Sequence, residues 1–227
     1  TITLTSSIPS SVSSKTAYII ENQPKQDYSL KDVRIYCDYI FLDTNERKFF
    51  AQNKHVYLIE QLQYNGISSY ESTQGNIKIP LEFNHPCKEL FWVNQRNFIK
   101  SLNGGFHYSK NPEIESSLVA NEPIIKDSLL FINGQERFEI RKENHFRLEI
   151  PYKVHTRIPD NFIYVYSFCL KPEQNQPSGS CNFSRLDSSE LVINYETGIS
   201  NSITRIYALN YNILNIKNGM GGLAYSN

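Results

Sequence analysis

A chain of 227 residues, 40% hydrophobic and 20% charged, is long enough to bury a sizeable core and too apolar for intrinsic disorder. Lys plus Arg and Asp plus Glu each number 23, for a formal net charge of zero, and the chain has no Lys/Arg cluster, which argues against direct nucleic-acid binding. Fifteen Tyr and 13 Phe against one Trp and one Met, set among many Ile and Val, favour strands over helices and one large all-β domain or two small ones.

Residues 1–30 open with an alternation (Thr1-Ile2-Thr3-Leu4-Thr5) and pass into a Ser-rich stretch, Ser6 to Ser14, expected as an N-terminal arm or linker. In Val33–Leu42 the odd positions Val33, Ile35, Cys37, Tyr39 and Phe41 alternate with period two and predict a first strand. Asp43 and Glu46, three apart, match a capping box, so a short helix is expected over 44–52.

His55–Tyr64 is expected as a second strand, with Val56, Leu58 and Leu62 on one side and Asn65-Gly66 as its closing turn. Asn76–Phe83 alternates as a third. Pro80 inside it lacks an N–H for the ladder, which requires an edge strand or a bulge. Lys88–Gln95 (KELFWVNQ) is a fourth strand, buried on both faces. Residues 97–126, rich in Asn, Gly, Ser and Pro, form a long loop of the kind that makes contacts.

Asp127–Asn133 is a fifth strand, closed by Asn133-Gly134. Residues 134–160 carry Pro151 and Pro159 and are expected to make a second excursion with a short helix. Phe162–Leu170 is a sixth strand, Glu190–Tyr195 a seventh and Ile203–Ile216 an eighth, followed by a Gly-rich tail. Eight strands with long loops and short helices predict an all-β, antiparallel jelly roll of two four-stranded sheets, in one domain over 31–227. An immunoglobulin-like sandwich fits less well, because the loops are long and no Cys…Trp…Cys spacing occurs.

The chemistry of catalysis is thinly represented. The five His residues (55, 85, 107, 145 and 155) form no HxH, HExxH or HxxxH pair, so the close His pair with which a cupin holds metal is missing. No GxSxG elbow or GxxxxGK[ST] loop occurs. Gly219-Met220-Gly221-Gly222 precedes no helix and is expected as a turn packed against a neighbour. The four Cys (37, 87, 169 and 181) match no CxxC or zinc spacing. Cys37 and Cys169 lie in apolar runs, and free thiols made in a reducing compartment are expected. Phe162, Tyr164, Tyr166 and Phe168 form a row on which a lectin would stack sugars, the basis of an alternative carbohydrate-binding module for host attachment; core packing is the commoner use. Catalytic, metal and cofactor residues are therefore expected to number none. There is no apolar run of about 18 residues to cross a bilayer as a helix, and no signal peptide is evident.

The most unusual segment is Gln176 to Asp187 (QPSGSCNFSRLD). Pro177 fixes its own φ and Gly179 permits a positive one. Ser178, Ser180 and Asn182 are suited to bonding local backbone. Asn182-Phe183-Ser184 is a sequon whose expected role is structural rather than glycosylation. Arg185 and Asp187 are candidate contact residues at an interface.

Taken in order with other segments, this loop resembles a known family. Asp43-Thr44-Asn45-Glu46-Arg47, Tyr57 to Gln63, Asn84-His85-Pro86-Cys87 to Val93, Pro151-Tyr152, His155-Thr156-Arg157-Ile158-Pro159, Gln176 to Asp187 and Tyr211 to Asn227 are similar to the second jelly roll of the major capsid proteins of nucleocytoplasmic large DNA viruses. The resemblance runs from about residue 33 to the end. It implies a structural, non-enzymatic subunit of an icosahedral capsid. Such subunits carry two jelly rolls, three copies forming a pseudo-hexagonal capsomer. It also implies homotrimeric self-association, contacts with neighbouring capsomers and minor capsid proteins, at most indirect contact with an inner viral membrane, and no direct nucleic acid. The implied location is the virion capsid, with assembly in the host cytoplasm. Near-zero net charge is compatible with dense packing of like copies. No first roll is evident before residue 33, and the only Met is Met220; both lead us to expect a piece of a longer polypeptide.

Overall fold

The computed structural model describes residues 31–71, 75–97, 106–110 and 122–225. The expected arm 1–30 and most of the expected loop 97–126 lie outside the described residues. The chain divides into two units, Thr1–Ile40 and Phe41–Asn227. In the first, the described residues 31–40 have no regular secondary structure and are exposed, Cys37 included. The strand expected over Val33–Leu42 is therefore absent, and Phe41 and Leu42 are likewise not strand. Alternation alone does not make a strand: the backbone needs a neighbour to complete its ladder.

The second unit starts with α1, Thr44–Gln52. Its capping box forms as expected: the Glu46 N–H donates to Asp43 Oδ1 at 2.8 Å and the Asp43 N–H to Glu46 Oε2 at 3.3 Å. The strands among the described residues are β1 His55–Tyr70, β2 Asn76–Pro80, β3 Pro86–Arg96, β4 Ile125–Ile132, β5 Gln135–Glu136, β6 Arg141–Lys142, β7 Ile163–Ser167, β8 Cys181–Asn182, β9 Ser189–Tyr195, β10 Ser202–Lys217 and β11 Met220–Leu223. A π-turn (His145–Glu149) runs directly into α2 (Ile150–Val154), and a 3-10 turn spans Phe183–Arg185.

One sheet has the order β1-β10-β3-β7, with β8 beside β3 and β11 beside β10. The other runs β2-β9-β4-β5, with β6 also on β4. All pairs are antiparallel. Long strands adjacent in sequence mostly fall in opposite sheets, and the first long strand pairs with the last; this is the jelly-roll arrangement. The eighth place in the frame belongs to the short β5 and β6, not to residues 33–42.

The local details of these strands have clear physical causes. Asn65-Gly66 does not end the second strand but makes an irregularity within β1, between Tyr64 and Ile67. The Asn65 side chain donates to Pro80 O and accepts from the Glu82 N–H, both at 2.7 Å, and so serves backbone groups of the segment where β2 ends. Pro80 is the last residue of β2, an edge strand, as the missing N–H requires. The Gly-rich tail turns and forms a hairpin: Asn218 and Gly219 take φ of 53° and 75°, and β11 folds back onto β10. Such paired positive φ values suit a two-residue hairpin turn, as do those of Asn133 and Gly134 between β4 and β5.

The core lies between the sheets. Leu90 and Trp92 of β3 and Ile206 and Ala208 of β10 face Leu130 of β4 and Leu191 and Ile193 of β9, all almost fully buried. Trp92 stacks on Tyr164 at 6.0 Å between centroids and lies 5.1 Å from Phe146 of the π-turn, so the excursion between β6 and β7 contributes to the core. Leu90→Ala is expected to cost about 2–5 kcal/mol of unfolding free energy, measured by urea titration. Leu58→Ala, at a half-exposed position on β1, is expected to stay within roughly 0.5 kcal/mol of the parent.

Candidate assembly surfaces

The loop from Gln176 to Asp187 is a tie between the two sheets. Gly179 takes φ +145°, and a Cβ there would lie 2.8 Å from Phe168 O and 3.1 Å from Cys169 Cα. The loop therefore passes against the end of β7 at a distance only glycine allows. Ser178 Oγ accepts from the Lys171 N–H at 2.9 Å. The chain then pairs with β3 as β8, placing Asn182 opposite Pro86 and Cys181 opposite Cys87. Asn182 Oδ1 accepts from the Ser184 N–H at 3.1 Å and caps the 3-10 turn. Phe183 drops into the core, edge-on to Phe83 and Phe168. Ser184 Oγ accepts from the His85 N–H at 2.7 Å. Asn133 Oδ1, at the β4–β5 turn of the opposite sheet, accepts from the N–H of Asp187 at 2.8 Å. Ser178 and Asn182 are half-buried, while Gln176, Pro177, Gly179, Arg185 and Asp187 are exposed.

A polar network on the outer face of β3 has no counterpart among the residues singled out from sequence. The β3–β10 register slips between Cys87 and Glu89, leaving Lys88 as an extra residue. Such a bulge re-aims side chains, and Lys88 and Glu89 are only 1% and 3% exposed. The Lys88 ammonium meets the Glu60 carboxylate of β1, lies 3.3 Å from Gln174 O and sits 5.5 Å from the centre of the Tyr211 ring. Burial pulls its pKa down, but Glu60 and Tyr211 outweigh that and leave it above its ordinary value. Glu89 pairs with His155 Nε2 at 3.0 Å, and His155 Nδ1 lies 3.4 Å from Glu173. Glu173 accepts from the Thr156 N–H at 2.9 Å and from its hydroxyl. Contact with Glu89 holds His155 above its ordinary pKa against the opposing effect of burial, and bonds from Thr156 hold the Glu173 carboxyl below its own. The network clamps the chain on either side of β7 to β3. Its signal in the sequence was Lys88-Glu89 inside a strand expected to be buried on both faces, since buried charges require partners.

Among the described residues of the second unit, exposed large apolar side chains are most numerous on and beside β1. Val56, Leu58 and Leu62 share the outward side with Glu60; Leu58 is 50% and Leu62 64% exposed. The side expected to carry apolar residues is thus uncovered. β1 is also a sheet edge, so along its 16 residues one row of backbone groups has no ladder partner among the described residues. Phe49 and Phe50 of α1, Met220 and Leu223 of β11, and Tyr225 are exposed as well. By contrast, Phe162 and Tyr164 are buried and Tyr166 and Phe168 pack against the core, so this aromatic row offers no stacking platform for sugars. Among the described residues no group of three His, Cys, Asp or Glu is placed to hold a metal ion, and no helix is long and apolar enough to cross a membrane.

Gly179→Ala is expected to destabilise the domain by about 1–3 kcal/mol through backbone strain, with the close approach to Phe168 adding to it, read by urea denaturation. The clamp predicts a window in pH. A His with a raised folded-state pKa contributes fully below about 6.5 and loses that contribution as pH rises through the folded value. A Glu with a depressed one contributes above about 4.3 and loses it as pH falls. The stability difference between the parent and His155→Gln should therefore be largest from about pH 5 to 6 and shrink toward pH 9, measured by thermal melts across that range.

Residues 46–222 match the family described as large eukaryotic DNA virus major capsid protein. The chain is 36% identical to the major capsid protein of Phaeocystis pouchetii virus, over 88% of this chain and 54% of that protein. It is 39% identical to the major capsid protein of Pyramimonas orientalis virus, over 88% of this chain and 50% of that protein. Among solved structures, a quasi-atomic PBCV-1 virus capsid aligns with TM-score 0.69 and 35% identity, covering 83% of this chain and 56% of that one. The chain spans about half the length of the curated relatives it matches. A jelly roll of this strand order and matches of this extent lead to one conclusion: the chain belongs to the major capsid protein family of large eukaryotic DNA viruses.

Proposed function

We propose that this chain acts as a structural jelly roll of an icosahedral capsid subunit, in which three copies of the intact polypeptide form a pseudo-hexagonal capsomer. The observation that carries the reading is the exposed apolar row Val56, Leu58 and Leu62 on β1, a 16-residue strand paired with β10 on one side and lying at the sheet edge on the other, in a domain that matches the capsid family from residue 46 to 222. Exposed rows on free edges favour association, and burying each Leu contributes about 1.5–3 kcal/mol. The work of such a domain is burial and shape complementarity rather than catalysis. Its partners are further copies of itself, neighbouring capsomers and minor capsid proteins, with an inner membrane reached only indirectly and no direct contact with nucleic acid. It resides in the virion capsid after assembly in the host cytoplasm. The exposed side chains of the excursion 134–160, Ile140, Tyr152 and Ile158 among them, face adjoining subunits or the outside, and Arg185 and Asp187 contribute contact side chains on the tied loop.

Light scattering of the intact polypeptide at high concentration should give a trimer-sized species. A strictly monomeric protein under those conditions would defeat the proposal. The double variant Leu58→Asp/Leu62→Asp should shift the population to monomer while its thermal midpoint stays close to that of the parent. Unchanged trimer in that variant would remove β1 from the interface.

A further inference from the structure

Cys87 and Cys181 stand directly opposite each other in the antiparallel β3–β8 pair. Cys87 belongs to the core between the sheets and Cys181 packs against it, so both side chains are on the inner side. Opposed residues in such a pair have Cα atoms about 4.5–5.5 Å apart, inside the range of roughly 4.4–6.8 Å that a disulfide spans. Both are free thiols here.

The two differ in access. Cys181 is half-buried and lines an open cleft of about 400 Å³ whose other walls include Gln135, Glu136, Arg137 and Ser180. Cys87 is fully buried. Burial raises the pKa of Cys181 while Arg137 opposes it, whereas Cys87 is pushed up by burial and further by Cys181 itself. Thiolate is the attacking species, so access and charge both favour Cys181 as the first to react. The cleft carries a guanidinium and a carboxylate, Arg137 and Glu136, matching the carboxylates and ammonium of a small peptide disulfide.

We infer that Cys181 and Cys87 form a redox staple, in which Cys181 exchanges with a low-molecular-weight disulfide of the glutathione class in the cleft and Cys87 then closes a cross-strand disulfide. In the first step deprotonated Cys181 attacks one sulfur of glutathione disulfide, forming a mixed disulfide and releasing one glutathione thiolate, which takes up a proton. In the second, deprotonated Cys87 attacks the Cys181 sulfur and releases the second glutathione. The protein pair loses two protons and two electrons, and one glutathione disulfide becomes two thiols. The bond fastens the loop to β3 covalently. In a reducing compartment the pair remains dithiol; an oxidising one locks it.

The test uses the full chain, parent and C37S, incubated with oxidised glutathione, acid-quenched, alkylated in denaturant and mapped as non-reduced peptides. The expected result is a linked Cys87–Cys181 peptide pair, cleaved by dithiothreitol. The thermal midpoint should rise by about 4 °C or more and revert on reduction. C87S should stop at the mixed disulfide on Cys181. The inference is overturned if the parent also stops there, if Cys181 links to Cys169 instead, if both thiols are fully alkylated, or if the linked form melts no higher than the reduced one.

Discussion

Lys88 and Glu89 lie side by side on the outer face of β3, both out of water, and much of the surrounding chain is arranged around them. An isolated buried charge is costly enough that each must meet an opposite charge or a strong dipole. Glu60 reaches across from β1 and the Gln174 carbonyl from the loop after β7 to match the lysine. His155, just beyond α2, matches the glutamate and is backed by Glu173. The excursion after β6 and the loop after β7 are thereby held against one strand. That strand's inner side meanwhile carries Leu90 and Trp92 into the core.

The tied loop extends the same logic to the opposite sheet. It leaves β7, passes the backbone of Phe168 at a spacing only Gly179 permits, pairs briefly with β3 and is held at the far side by Asn133. Phe183 supplies the apolar anchor while Ser178, Asn182 and Ser184 satisfy backbone donors. Such a segment is a rigid platform. Arg185 and Asp187 remain exposed on it.

β1 shows the opposite design. Natural sandwiches usually protect an edge strand with charge, proline or a cover. Here an apolar row and a free backbone edge stand open. In an isolated domain this would be a liability, and it is the feature on which the proposed self-association rests. The central Glu60 on the same row is already committed to Lys88, so the open stretch presents mainly hydrocarbon.

Apolar patterning, alternating in some segments and continuous in Lys88–Gln95 and Phe162–Leu170, placed seven of the eight expected strands, most of them within a few residues, and the three-residue spacing of Asp43 and Glu46 placed α1 together with its cap, because both depend on local backbone geometry. Pro80 marked an edge for an equally local reason, its missing N–H. The alternation in Val33–Leu42 was of the same quality yet gave no strand, since pairing requires a neighbour that no local pattern supplies. Asn65-Gly66 resembled a turn but became an irregularity inside β1, because the groups that Asn65 satisfies lie 15 to 17 residues further on. The motif loop was recognisable from its composition, while the positions of Gly179 against Phe168 and of Cys181 against Cys87 were decided by strand order. The sequence by itself determined the all-β class, the family resemblance and the places of most of the long strands. Only the tertiary structure decided which apolar faces are covered, which charges meet and which thiols are neighbours, because those depend on contacts between residues far apart in the chain.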